Sequence, residues 1–192
     1  MKPTTKFLIG TLSALMMGCG GGGQSDPVAD GWAFFTSGQY GEAHTSFVTA
    51  VEAGNPEGYV GLGWVCIDLD SLPEAGRYFS LAAADNFTDG YAGWSAVLWA
   101  NGNYADCITK ADFVLQNDPS YSFDFRPTVN YKDMIWYQAS GYLHLGNFSQ
   151  CLERIQELDG SFTTDVNAVN AGDLLAAKLE TLAGQLAKQM RH

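Results

Sequence analysis

Four cysteines, Cys19, Cys66, Cys107 and Cys151, with His44, His144 and the acids Asp68, Asp70 and Glu74, are the side chains whose types could attack, ligate or titrate. A structural metal centre needs Cys or His at short fixed spacings, and a dithiol redox pair needs CxxC. Neither pattern occurs: the cysteines stand more than 40 residues apart, and neither histidine belongs to an HExxH arrangement. The three acids lack the full ligand series and fixed glycine of a calcium loop, so they read as a solvated helix end. There is no Gly-x-Ser-x-Gly, phosphate loop or dinucleotide fingerprint, and the GGGG at 20–23 follows no strand. These residues predict no enzyme, no cofactor and no metal site.

The later cysteines are placed by a period. GQYGEA at 38–43 returns as GNYADC at 102–107 and GNFSQC at 146–151, with DSLPEA at 70–75 as the missing copy. The last residues of these phrases, Ala43, Ala75, Cys107 and Cys151, are spaced by 32, 32 and 44. Gly31, Gly63, Ser95 and Ala139 lie twelve residues before them, Phe47, Phe79, Ala111 and Ile155 four after, and Ala50, Ala82, Val114 and Leu158 seven after. A phase shared at several places in each unit is the signature of a repeat architecture.

Each unit reads as two short helices about a turn. First helices are expected over roughly 27–37, 56–69, 89–101 and 131–145, and second helices over roughly 41–53, 73–84, 104–116 and 148–159. The turn falls at Gly38, Asp70, Gly102 and Gly146, where glycine takes the left-handed conformation that ends a helix, and Asp tolerates it better than most residues. Pro56 and Pro119 punctuate the junctions between units. Two segments break the period. SYSFDFRPTVNYKD, from Ser120 to Asp133, is an aromatic-rich loop or helical extension, and Leu175, Leu179, Leu182, Leu186 and Met190 form an amphipathic stripe at steps of four, three, four and four. A repeat stack needs a last helix over its open end, so the stripe predicts a cap.

The units resemble tetratricopeptide repeats. Unit one carries Gly31, Gly38, Tyr40, Glu42, Ala43, Phe47 and Ala50 in that pattern, and unit two carries Tyr59, Leu62, Gly63, Glu74, Ala75, Phe79 and Ala82. Unit three keeps Tyr91, Gly102, Tyr104, Val114 and Pro119, and unit four keeps Ala139, Gly146 and Phe148; both replace the Ala by cysteine. The resemblance implies an all-α fold, a right-handed superhelix of about four helix-turn-helix repeats at 26–55, 56–87, 88–119 and 131–160, with a capping helix at 166–190. Cys107 and Cys151 then occupy a close-packed place, where a free thiol behaves as a small apolar side chain. Cys66 lies within a first helix, near its inner face.

The first residues resemble a lipoprotein leader. MKPTTK carries two lysines and no acid, FLIGTLSALMMG is apolar but too short to span a bilayer, and Cys19 closes the run ahead of a glycine-rich linker. Residues 1–18 are therefore expected to be a signal peptide, with Cys19 acylated, residues 19–25 as tether and 26–192 as the repeat domain. Met16 and Met17 depart from the preferred lipobox residues, and an ordinary secretory signal is the alternative. Gly20, in place of an Asp after the cysteine, points to the outer membrane. Removing residues 1–18 takes away Lys2 and Lys6 and no acid, deepening the net charge from −11 to −13. That balance argues against nucleic acid as a partner.

By the same resemblance, first helices line a concave face. Trp32 and Phe35, Trp64 and Ile67, Trp99, and Trp136 with Leu143 and His144 fall on or beside it. Such a row could grip a peptide, since aromatic residues dominate interface hot spots. Alternatively it fills a tightly wound stack, or is covered by the 120–133 segment or the last helix. The expectation is a lipid-anchored interaction module binding a protein or peptide of a bacterial cell envelope. A scaffold subunit of an outer-membrane or cell-wall complex is the alternative, and a glycan-binding accessory protein or enzyme a more distant one.

Overall fold

The computed structural model describes residues 26–189; the expected signal peptide, Cys19, the tether and Met190 lie outside the described residues. The described residues form an antiparallel series of helices: α1 (Pro27–Thr36), α2 (Tyr40–Glu52), α3 (Glu57–Asp68), α4 (Leu72–Ala84), α5 (Thr88–Ala100), α6 (Tyr104–Asn117), α7 (Tyr131–His144), α8 (Phe148–Leu158) and α9 (Ala171–Gln189). Each helix packs on the next, and α1, α3, α5 and α7 also touch one another in sequence, while α2, α4, α6 and α8 do not. The first helices of the units thus form the inner layer and the second helices the outer one.

The local devices behind this order are visible. Asp26 accepts a 3.0 Å hydrogen bond from Val28 N and Pro27 opens α1, a favoured start because proline has no N–H to orphan. Asn130 and Asp133 make a reciprocal capping box at α7. The joint within each unit is a left-handed residue, Gly38 (φ 76°), Asp70 (φ 56°), Gly102 (φ 75°) and Gly146 (φ 73°), so the four phrases share one backbone turn.

Packing explains the phase. Ala43, Ala75, Cys107 and Cys151 are all 0 % exposed, as are Phe47, Phe79, Ala111 and Ile155 four residues later. The Phe47 ring is clamped between Gly31 of its own unit and Gly61 of the next: a Cβ at either would lie 2.4–2.6 Å from its nearest ring carbons. Phe79 is held in the same way between Gly63 and Gly93. In unit three the ring shrinks to Ala111, and the neighbouring positions enlarge. Ser95 replaces the glycine, with its hydroxyl donating to Ala92 O at 2.7 Å and lying 3.5 Å from Met134 Sδ, and Tyr137 stands at the sequence place of Gly61 and Gly93. Ring and glycine, or alanine and larger neighbour, are two ways of filling the same interior volume.

The cap begins five residues later than the expected 166. Residues 166–170 are turns, and α9 starts at Ala171. Val166 and Val169 are β-branched, and Asp165 accepts a hydrogen bond from Asn167 N, a local alternative to helix. From Ala171 onward Leu175, Leu179 and Leu182 bury against Ala139, Cys151 and Ile155, closing the last unit. Lys178 is ion-paired to Asp159 across the same joint.

Candidate aromatic groove

The segment between α6 and α7 is a folded-back loop rather than a helical extension. Its backbone is closed on itself by Phe123 N to Val129 O (2.9 Å), Arg126 N to Phe123 O (3.0 Å), Val129 N to Arg126 O (2.8 Å) and Tyr131 N to Tyr121 O (2.7 Å). From α6 it runs across the inner layer, past α5 and α3 to α1. Tyr121 donates its hydroxyl to Asp89 Oδ1 at 2.8 Å at the start of α5. Phe123 stacks on Trp64 of α3, with ring centres 5.0 Å apart, and meets Trp32 of α1 edge-on at 5.5 Å. Phe125 stacks flat on Trp32 at 4.1 Å. Arg126 ion-pairs with Asp68 at the end of α3, its guanidinium 5.1 Å from the Phe35 ring centre and 5.2 Å from that of Trp64.

This arrangement matches the covered alternative for part of the aromatic row and corrects the reading of Asp68. Trp32, Phe35 and Trp64 do not line an open face: they are 3, 4 and 4 % exposed, because the loop covers them. Asp68 is not a merely solvated helix end, because Arg126 neutralises it. Glu74 keeps an exposed pair with Arg77, and Asp70 is the left-handed turn residue. Among the described residues no three His, Cys, Asp or Glu side chains gather as a metal-binding group.

The fit of the loop is apolar and electrostatic, and incomplete in hydrogen bonds. The indole Nε1 atoms of Trp32 and Trp64 are buried with no acceptor. A buried donor left unmatched costs about 1–3 kcal/mol. At the rim, burial raises the pKa of the Asp89 carboxyl, with Asp124 and Glu57 acting in the same direction and the Tyr121 hydroxyl against it. Burial, then Asp89, pushes the Tyr121 phenol up.

The other candidates fall into a second group. Trp99 of α5 meets Trp136 of α7 edge-on at 5.0 Å and donates to Ser140 Oγ at 2.9 Å. Trp136 donates to Leu179 O of α9 at 3.0 Å. Both indoles are half-buried, and with Asp133, Tyr137, Ala183, Leu186 and Ala187 they line a cleft of about 190 Å³ between the inner layer and the cap. His144 joins neither group: it is exposed at the end of α7, stacked on Tyr104 of α6 at 4.1 Å.

Of the residues that build the covered groove, Tyr121, Phe123, Phe125 and Arg126 are marked in sequence as part of an aromatic-rich break in the period and as one candidate cover, without a contact assigned to any one of them. Their alternation, with Tyr121, Phe123 and Phe125 two apart, is the signal of one apolar face, although the chain turns at 124–125 instead of continuing as a strand. Asp89 carries no such signal, because its role depends on where a distant loop lands. Cys66, Cys107 and Cys151 are buried free thiols, and burial pushes Cys107 and Cys151 up to about 12, which leaves them protonated and inert.

No family model matches the chain, and no curated protein matches it. Solved structures do. A tetratricopeptide repeat protein from Parabacteroides merdae ATCC 43184 superposes with a TM-score of 0.58 at 14 % identity, over 85 % of this chain and 62 % of its own. MamA MSR-1 C2 superposes with a TM-score of 0.57 at 12 % identity, over 86 % of this chain and 94 % of its own. The chain therefore spans less than two thirds of the first protein and nearly all of the second. At such identities the likeness is one of architecture, and this chain has the all-helical repeat fold that the tetratricopeptide repeat protein displays.

Proposed function

We propose that the protein is a binding module for a peptide or protein segment, engaged by the inner layer of its repeats and held at a bacterial cell envelope through a lipid on Cys19. The carrying observation is that the inner layer already holds a peptide segment, Tyr121–Arg126, folded in a turn at 124–125 and bound by aromatic stacking and one ion pair. Stacked rings and a half-buried, paired arginine are the kinds of anchor that dominate peptide and protein interfaces. The cleft at Trp99 and Trp136 continues the aromatic surface towards the cap, with Asp133 supplying an acidic wall. A net charge of −11 favours a basic partner and disfavours nucleic acid.

A photo-crosslinking side chain at Ala187, on the cleft, and another at the exposed outer-layer position Thr109 test this in cells of the source type. A discrete adduct from Ala187 that is absent from Thr109 supports the reading; none from Ala187, or the same adducts from both, refutes it. The tether is tested separately by mass spectrometry of the mature N-terminus, which should begin at an acylated Cys19. An unmodified terminus would overturn that part of the proposal.

A further inference from the structure

The loop 121–126 makes three kinds of contact with the inner layer: stacking of Phe123 and Phe125 on Trp64 and Trp32, the Arg126–Asp68 ion pair, and the Tyr121–Asp89 hydrogen bond. All are side-chain contacts. Among the described residues, no backbone hydrogen bond joins residues 121–126 to α1, α3 or α5; the loop's backbone bonds close it on itself. Meanwhile the indole donors of Trp32 and Trp64, 3 and 4 % exposed, lie beneath it unmatched. The loop reproduces the shape and charge that this face selects without satisfying its hydrogen bonds. A separate chain, free to choose its register, could place backbone carbonyls on those two donors.

We infer that Tyr121–Arg126 is a resident, exchangeable occupant of the groove, and that the external ligand is a peptide that takes up the same turn, with aromatic residues at positions i and i+2 and an arginine directly after the second. This rests on the binding-module reading above and specifies its ligand. The ligand stacks on Trp64 and Trp32, pairs with Asp68, and competes with the loop, which holds the groove closed until such a peptide arrives. Phe125 is the natural point of entry, because it is 37 % exposed while Phe123 beneath it is 1 % exposed. The loop thereby acts as a threshold: apparent affinity is reduced by the fraction of time the groove is closed.

The test uses the full-length chain and a synthetic peptide, SYSFDFRPT, copied from residues 120–128. Binding is followed by tryptophan fluorescence and calorimetry to the wild type and to Phe125→Ala/Arg126→Ala, which loosens the loop without altering a repeat. The variant is expected to bind the peptide at least tenfold more tightly than the wild type, and a peptide with both phenylalanines replaced by alanine to bind neither. Equal affinities, or no binding to the folded variant, would overturn the inference. So would a variant whose circular dichroism shows unfolded helices, since the loop would then be part of the fold rather than its occupant. A wild type that dimerises with concentration and loses peptide binding in step would assign the groove to the loop of a second copy, which also overturns it. None of these results depends on an adduct at Ala187, so the failure of either idea is recognisable by itself.

Discussion

Replacing Gly63 with alanine puts the interlock between the repeats to a quantitative test. The new Cβ would stand 2.5, 2.6 and 2.8 Å from three ring carbons of Phe79, where about 3.5–4.0 Å is the optimum for carbon atoms. The ring has no room to retreat: it is 0 % exposed, and Gly93 approaches its other side so closely that a Cβ there would lie 2.3 Å from it. Overpacking of this kind costs about 1–3 kcal/mol, and a ring clamped on two sides places the effect at the upper end. Helix propensity works the other way, favouring alanine over glycine by about 1 kcal/mol. The net expectation is a loss of about 2 kcal/mol. At about 2–4 °C per kcal/mol for a domain of this size, the melting temperature should fall by about 4–8 °C. Thermal unfolding followed by far-ultraviolet circular dichroism reads this directly, and Gly41→Ala and Gly184→Ala are controls. Both are helical glycines with nothing within 4 Å of the added atom, so propensity alone should raise their melting temperatures. In a double-mutant cycle, Phe79→Leu should relieve part of the Gly63→Ala loss, with a coupling of about 1 kcal/mol or more. If Gly63→Ala raised the melting temperature as the controls do, the steric account of the period would be wrong.

Two further outcomes follow from buried titrating groups. Cys66, Cys107 and Cys151 should resist alkylation by iodoacetamide at pH 8 until denaturant is added, and mass spectrometry showing modification of Cys107 or Cys151 in the native protein would refute their role as packing residues. The pH dependence of stability should have opposing acidic limbs. Asp89 and Asp133 have their pKa values raised, chiefly by burial, so the folded chain holds these protons while the unfolded chain releases them near the ordinary 3.8. Stability therefore rises as pH is lowered through the raised values towards 3.8, and Asp89→Asn should flatten that limb in urea titrations. Asp159 works in the other sense: the Lys178 hydrogen bond, followed by those from Ser161, lowers it to about 2, so its contribution is present above 3.8 and disappears as pH falls towards 2. An unchanged slope in Asp89→Asn would show that its carboxyl does not titrate differently on folding.

Much of the architecture could be read in the chain because its determinants are local. A left-handed residue at each joint, small residues at fixed steps and apolar residues at helical spacing specify a helix pair wherever they occur, and the repeated phase shows that neighbouring pairs pack alike. The correspondence of Phe47 and Phe79 with glycines, and of Ala111 with Ser95, was also present in the sequence, though its meaning emerges only once the two helices are seen in contact. The helix α9 starts at Ala171 and not at 166 because Val166, Val169 and Asp165 favour turns ahead of the apolar stripe, which begins only at Leu175.

The candidate groove is a different case. Which tryptophans face inwards follows from helical phase, a property of a few consecutive residues. What covers them is decided by a loop more than 50 residues away from Trp64, whose landing place depends on the curvature of the stack and the reach of the chain between α6 and α7. Local chemistry thus determined the repeat, its joints, its acidic surface and the inert place of its thiols. Only tertiary structure decided that Phe123, Phe125 and Arg126 meet Trp64, Trp32 and Asp68, because stacking and ion pairing between distant segments have no period along the sequence and exist only once the stack has formed.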